Sequence, residues 1–330
     1  MVKISEGTFT IEGESLYTKT WLPDKPPVAK LVIIHGFSDH INRYYEFFPY
    51  LAERGIAVYG YDQRGWGRSV KKPSDKGKTG PTARVLADMA AFIEDKLAPS
   101  PSSSSNDNDN GTDNHRHHQA PLFVLGHSMG GGQALALAST PAHAGLAARV
   151  RGWVLEAPFL GFAPELQPHW LTIASGRLAA HVVPGFHLVR DIPPEHVTRV
   201  PEVQRSLAAD ALCHDTGTLE GLAGMLDRTE RLARGALRPD PAVVRSLLLL
   251  HGSGDRSTSC GRSREWFDVQ QREAPIADAV FREYDGMYHQ LHADYGKEEF
   301  YKDVADWILE RSRDAPKEAM APPPLPESKL

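Results

Sequence analysis

Residues 126–130 read Gly-His-Ser-Met-Gly. An apolar run, Pro121-Leu-Phe-Val-Leu125, leads into them, and a small-residue helical pattern starts near Gly130. That is strand, sharp turn and helix, with Ser128 at the apex. Such a turn forces the serine backbone into a strained conformation. Glycines two residues to either side keep neighbouring Cβ atoms away, so the hydroxyl stands clear of the sheet. The plain alternative is an ordinary strand–helix turn. A serine hydroxyl is a poor nucleophile at neutral pH. It needs a base to take its proton, and the base needs an acid to fix its tautomer.

Where this elbow is used, the acid and then the histidine follow the serine along the chain. The acid expected here is Asp255, in His251-Gly-Ser-Gly-Asp255-Arg, directly after the apolar residues 247–250. An ordinary turn aspartate is the bland alternative, and Asp285 in the following loop is the rival. The base expected is His289, in Tyr284-Asp-Gly-Met-Tyr-His289-Gln-Leu-His292. His292 competes, but His289 follows the Gly286 turn by three residues. A developing oxyanion needs two donors. One is the N–H of Met129, next after the serine. The other comes from the loop after the strand at 31–34, which begins His35-Gly36-Phe37, and is assigned to the N–H of Phe37.

These groups must be carried to one place by the elements between them. Residues 8–21 alternate around Gly13 and predict an opening hairpin. Buried-type strands are expected at 31–34, 56–61, 121–125, 153–155, 246–250 and 279–284. Helical spacing appears at 43–54, 85–97, 261–272 and 297–311. Strand and helix alternate, so the expected class is α/β, a mostly parallel sheet with helices on both faces. The alternation lapses at 159–240, which is rich in helix-spaced apolar residues and reads as a cap inserted over the sheet. The expected organisation is a core in two parts, 1–158 and 241–313, the cap 159–240, and a flexible tail 314–330. Residues 99–120 interrupt the first part with Ser102-Ser-Ser-Ser105, Asn/Asp repeats and His115-Arg-His-His118. Nothing there can bury an apolar face, so a disordered surface insertion is expected, projecting from the sheet end opposite the serine. Its histidines lack a cysteine or carboxylate framework for a metal.

Charged residues are 24%, hydrophobic residues 41%, and the net charge is −5, with no long basic stripe. Nucleic acid is therefore not an expected partner. Two cysteines, Cys213 and Cys260, make no disulfide framework and suit a reducing compartment. The first residues lack the apolar core of a signal peptide, and runs such as 247–250 are too short to span a bilayer. A soluble intracellular protein is expected. The final Ser328-Lys329-Leu330, with a free carboxylate, is the peroxisomal import signal. It follows Pro322-Pro323-Pro324, which favours an extended approach to it. The expected location is peroxisomal, with an import receptor as partner, and cytoplasmic is the alternative.

Taken together the residues resemble the monoacylglycerol lipase family of α/β-hydrolases over most of 5–312. The carriers are His35-Gly-Phe-Ser-Asp-His40 with Arg43-Tyr44, Asp62-Gln-Arg-Gly-Trp-Gly-Arg-Ser69, Gly126-His-Ser-Met-Gly-Gly131, His251-Gly-Ser-Gly-Asp255 and Tyr288-His289-Gln-Leu-His292. The resemblance implies the α/β-hydrolase fold with a helical cap. It places the triad at Ser128, Asp255 and His289, and the oxyanion donors at Phe37 and Met129. It also implies a polar pocket for the glycerol end at Asp39, Arg43 and His292, against which stands a local Asp39–Arg43 ion pair that shapes the loop. Phe37 is bulkier than the family's usual residue, and Asp39 is one methylene shorter than the usual glutamate. In the cap, Leu166, Trp170 and Ile173 share one helical face, and Phe159, Phe162, Val182, Val183, Phe186 and Leu188 add apolar area. They read as an acyl tunnel with a surface for transient membrane contact, or as cap core.

The expected activity is a serine ester hydrolase acting on monoacylglycerols or similar lipid monoesters through an acyl-enzyme. No metal or organic cofactor is implied. The alternatives are a peroxisomal esterase or thioesterase acting on acyl-CoA or specialised-metabolite esters, a peptidase or acyltransferase on the same scaffold, and a catalytically idle lipid-binding protein. Deleting residues 328–330 is expected to leave activity intact and strand a fluorescent fusion in the cytosol; continued import after the deletion would refute the address.

Overall fold

The structure is a computed structural model, and it describes residues 1–98 and 120–313. The insertion expected at 99–120 lies outside the described residues except for Ala120, as do the tail 314–330 and its Ser328-Lys329-Leu330 ending.

The chain forms strands β1 (Lys3–Ile11), β2 (Glu14–Leu22), β3 (Ala29–Ile34), β4 (Ile56–Tyr61), β5 (Leu122–His127), β6 (Gly152–Glu156), β7 (His187–Val189), β8 (Thr216–Thr218), β9 (Ser246–Gly252) and β10 (Asp278–Tyr284). Eight of them make one sheet in the order β1-β2-β4-β3-β5-β6-β9-β10. β2 pairs antiparallel with β1 and β4, and every other pairing in that sheet is parallel. The central strands β3, β5, β6 and β9 are buried along their whole length. This is why they read as unbroken apolar runs: helices cover both faces, and successive side chains enter different cores. Val32, Val124, Leu247 and Leu249 pack on one face. Leu31, Ile33, Phe123, Leu125, Leu248 and Leu250 pack on the other.

Parallel pairing matters for function because it brings the ends of β3, β5, β6, β9 and β10 to one edge. The loops after those strands carry Phe37, Ser128, the Glu156 neighbourhood, Asp255 and His289 in turn. The expected helix at 43–54 is shorter. A 3₁₀ turn spans Ile41–Arg43 and the helix runs Phe47–Glu53. Tyr45 between them has φ 44°, a conformation no helix can include.

Between β6 and β9 lie the helices Trp170–Val182, Pro194–Val197, Pro201–Ala209 and Leu219–Ala233. They are joined by an antiparallel β7–β8 pair that the sequence pattern did not show. Three-residue strands are too short to display alternation. One side of this region is tied to the sheet edge. Asp210 accepts from His40 Nε2 at 2.9 Å and from Arg43 Nη1 at 3.3 Å. The Asp215 N–H donates to Ser38 Oγ at 2.9 Å. The His214 ring bonds the Gly65 carbonyl and stacks on Trp66. The helix Trp170–Val182 instead leans on Leu219–Ala233, with Arg177 bonded to Asp227 and Glu230. Among the described residues no helix is long and apolar enough to cross a membrane.

The elbow after β5 is built on contacts that only glycine permits. A Cβ on Gly130 would fall on the Ile34 carbonyl oxygen of β3, and one on Gly126 would lie 2.5 Å from the Gly130 carbonyl oxygen. Neither obstacle is a side chain that can swing away. Gly130→Ala is therefore expected to destabilise the protein by about 1–3 kcal/mol through overpacking, read from urea unfolding. An unchanged midpoint and slope would show that the helix and β3 are not in this contact.

Candidate active site

Ser128 sits at φ 54°, ψ −119°, strained for a residue with a side chain. Its backbone is held there from three directions. Its N–H donates to the Glu156 carbonyl at 2.9 Å, and its carbonyl accepts from Gly132 N at 3.2 Å and Phe159 N at 2.9 Å. Met129 opens the helix Met129–Ala138, so its N–H belongs to the first turn, where no intrahelical acceptor exists. The helix dipole makes that end favourable to negative charge. The loop after β3 passes against the serine: a Cβ on Gly36 would lie 3.2 Å from Ser128 Cβ and 3.2 Å from His127 Cδ2. The two expected oxyanion donors thus lie on segments that flank Ser128 directly. The Phe37 ring leans edge-on against Trp66, with centroids 4.8 Å apart.

Asp255 and His289 meet. His289 Nδ1 donates to Asp255 Oδ2 at 2.8 Å. The Asp255 side chain is fully buried and takes four more hydrogen bonds: Oδ2 from Thr258 Oγ1 at 2.8 Å and His251 Nε2 at 3.0 Å, and Oδ1 from Ser257 N at 2.7 Å and Thr258 N at 2.9 Å. Burial works against its charge, but His289 and His251 outweigh burial and hold the carboxyl well below the usual range. For His289 burial favours the neutral ring, and the Asp255 carboxylate outweighs it. Glu156 and Asp39 add to that pull, so the pKa is raised from 6.5. His251 and Thr258 had no role assigned from sequence. The available signal was His251 itself, four residues before the acid at the end of the same strand. Asp285, the rival acid, is exposed and accepts from Ser253 Oγ.

Ser128 and His289 line the same two cavities. Among the described residues no hydrogen bond joins them, and bonds of this kind commonly tighten only around bound substrate.

A second carboxylate–histidine pair lies behind the first. Glu156 is fully buried, and its Oε1 accepts from His292 Nδ1 at 2.7 Å and His292 N at 3.1 Å. Burial opposes its ionisation; His292 outweighs burial, and the carboxyl lies below its usual range. His292 stacks on Tyr44 at 4.3 Å between centroids. His127 Nδ1 stands 3.5 Å from Glu156 Oε2, but burial lowers the His127 pKa to about 4, so this is a contact of a neutral ring and not an ion pair. Among the described residues two side-chain groups have the spacing of metal ligands, His40–Asp210–Cys213 and His127–Glu156–His292. In each, a histidine is already hydrogen-bonded to the carboxylate.

The three residues expected at a glycerol group separate. Asp39 lines a cavity, and it also braces its own loop by accepting from His40 N at 2.8 Å and Tyr44 Oη at 3.0 Å. Arg43 is drawn to Asp210, Ser206 and Tyr45 rather than to Asp39, and His292 to Glu156. Neither lines the cavities around Ser128. A buried carboxylate must be paired, and Glu156, which the motifs did not flag, claims the second histidine.

Ser128 stands where two cavities meet. One, of about 160 Å³, is apolar and lies under the cap, walled by Phe159, Phe162, Leu166, Ile173, Leu188 and Leu226 among others. The second, of about 230 Å³, is polar, with Ser38, Asp39, Asp191, Asp215 and Gln290 on its wall. Of the apolar cap residues singled out from sequence, Phe159, Phe162, Leu166, Ile173 and Leu188 face the first cavity. Trp170, Val182, Val183 and Phe186 are instead exposed, Trp170 by 67% and Phe186 by 57%. Cys213 is half-buried on the polar wall, and burial pushes its thiol pKa well up, away from a reactive thiolate.

Comparison with known proteins agrees with this fold. The family described as "Serine aminopeptidase, S33" matches residues 25–296. A Schizosaccharomyces pombe protein named "Putative monoglyceride lipase" is 35% identical over 302 residues, which are 90% of this chain and 72% of that protein. The monoacylglycerol lipase of Mycolicibacterium smegmatis is 28% identical, covering 92% of this chain and 97% of that one. The crystal structure of a soluble variant of the Saccharomyces cerevisiae monoglyceride lipase, in complex with a substrate analog, shares the fold with a TM-score of 0.77 at 19% identity, over 94% of this chain and 97% of that one.

The electrostatics yield a pH test. A base accepts a proton only when neutral, so with His289 as the base its raised pKa is expected to put the acid limb of kcat/KM above the ordinary imidazole value of 6.5. Glu156→Gln keeps the oxygen that accepts from His292 and removes one of the charges that raise His289. The acid limb is expected to move to lower pH in this variant. A limb that stays in place or moves upward would show that Glu156 does not act on the base.

Proposed function

Because the chain belongs to the monoacylglycerol lipase-like α/β-hydrolases, and so to the lipase- and esterase-type hydrolases, we propose that it cleaves monoacylglycerols or similar lipid monoesters through an acyl-Ser128 intermediate. The observation that carries this reading is the meeting of an apolar and a polar cavity at Ser128, with His289 on the wall of both and bonded to Asp255. An ester of a long acyl chain and a small polar alcohol has that division of character.

In this reading the acyl chain occupies the apolar cavity and the alcohol the polar one. Ser128 Oγ attacks the carbonyl carbon while His289 Nε2 takes the hydroxyl proton. The carbonyl oxygen becomes an oxyanion received by the Phe37 and Met129 N–H groups, each worth about a hundred- to a thousand-fold in rate. The C–O bond to the alcohol then breaks, and His289 returns its proton to the departing oxygen. Water, deprotonated by the same histidine, attacks the acyl-serine; the bond from the acyl carbon to Oγ breaks, the histidine returns the proton to Ser128, and the fatty acid leaves. Asp255 keeps His289 in the tautomer with a proton on Nδ1. At the alcohol, Asp39 is the acceptor on the cavity wall, and Arg43 and His292 shape the site from behind. The exposed Trp170, Leu178, Val182, Phe186 and Val189 give the cap an apolar face suited to transient contact with a lipid surface.

A fluorophosphonate probe is expected to label the folded protein, and Ser128→Ala to abolish labelling. His289→Ala is expected to reduce kcat/KM on a glycerol monoester about a hundred- to ten-thousand-fold. Folded protein that takes no label would favour an idle lipid-binding protein, and a strong preference for acyl-CoA over the glycerol ester would defeat the lipase reading.

A further inference from the structure

The polar cavity is one-sided in charge. Its wall carries three carboxylates, Asp39, Asp191 and Asp215, and among the described residues no lysine or arginine. Asp39 is buried and accepts from His40 N and Tyr44 Oη, donors that suit a carboxylate. Burial alone would favour its neutral form, but His35, His127, His40 and Arg43 outweigh burial and bring the pKa to about 2. Asp215 is half-buried. Its pKa is raised by burial first, while Ser38 bonds to it, and the Asp191 charge raises it further, so the two carboxylates sense one another. The histidines on the wall offset these charges little in the form that turns over: burial lowers the His127 pKa to about 4, and on the ester-hydrolase reading only protein with a neutral His289 is active. Two guanidinium groups lie off this wall, although the Arg43 charge reaches Asp39. Arg43 is bonded to Asp210, Ser206 and Tyr45, and Arg190 borders the apolar cavity. Gln290, on the same wall and 4% exposed, has an Oε1 with no protein partner, a neutral acceptor suited to a hydroxyl.

Building on the ester-hydrolase reading above, we propose that this cavity sorts the leaving alcohol by charge, admitting uncharged polyols and cationic amino alcohols and rejecting alcohols or thiols that carry phosphate. A phosphate group entering it would approach three like charges, of which Asp39 is buried and poorly screened by water, Asp215 is half-buried and Asp191 is exposed. A glycerol hydroxyl meets carboxylate and amide acceptors instead, and an ammonium group finds counter-ions already in place. The chemistry at Ser128 is the same for every alcohol; admission to the cavity is what differs. Lysophosphatidate-type esters are therefore poor substrates, whereas choline-type esters are turned over.

Oxygen esters with one acyl chain isolate this effect, since a thioester would add its own reactivity. The test compares kcat/KM for the octanoate monoesters of glycerol, choline and glycerol 3-phosphate, at low and high ionic strength. The native protein and Asp191→Asn/Asp215→Asn are measured side by side. The phosphate ester is expected to be at least about tenfold slower than the other two at low salt. The gap is expected to narrow in the double variant and, for the native protein, at high salt. The native salt series needs no variant to fold. Equal turnover of all three native substrates would overturn the proposal, and so would a gap indifferent to both salt and substitution. If choline octanoate is cleaved well ahead of the phosphate ester while the glycerol ester is inert, the monoacylglycerol reading falls and charge sorting stands.

Discussion

A carboxylate taken out of water must recover several kcal/mol of lost hydration. Asp255 is such a group, and much of the sheet edge around it is organised to satisfy it. His289, His251 and Thr258 converge on one oxygen, and the Ser257 and Thr258 N–H groups on the other. His251 comes from β9, His289 from the loop after β10, and the remaining donors from the turn that Asp255 itself begins. The carboxylate therefore joins two neighbouring strand ends, and the imidazole is fixed as a by-product of that requirement. Parallel pairing of β9 with β10 makes the convergence possible, because it delivers both chain segments to the same edge.

The same requirement is met a second time one strand inward. Glu156, at the end of β6, draws His292 to itself and leaves His289 free to serve Asp255. Two histidines three residues apart are thus sorted by two buried carboxylates. Tyr44 connects the layers: its ring stacks on His292 and its hydroxyl donates to Asp39. Negative charge around His289 is distributed over Asp255, Glu156 and Asp39, and together these overcome the effect of burial on its ring.

Most of the scaffold was legible in the chain because its physics is periodic. Unbroken apolar runs marked β3, β5 and β9, and the glycines of 126–130 marked the elbow, where any Cβ would meet backbone. Asp255 and His289 could be anticipated from their order and from the turns they follow. What escaped was governed by distant contacts. Glu156 reads as a residue at the end of a strand, and nothing local says that it faces two histidines. His251 lies in a motif whose aspartate drew attention from it. Arg43 was expected at the alcohol, yet its guanidinium meets Asp210, a residue far along the chain in a segment without strong periodicity. The exposed Trp170 and Phe186 follow the same rule: apolar spacing identifies a face, and only tertiary structure says whether that face is covered.

The cap is bound unevenly. Its 206–216 flank is tied to the sheet edge through Asp210, His214 and Asp215, while the helix Trp170–Val182 rests on a neighbouring cap helix through Arg177. Local opening is cheapest where fewest contacts are broken. On the proposed reading, the wall over the acyl chain is the less tethered of the two and the wall over the alcohol the more tightly tied. Variation in fatty-acyl length would then fall on the side with fewer contacts to break, and discrimination among alcohols on the side with more.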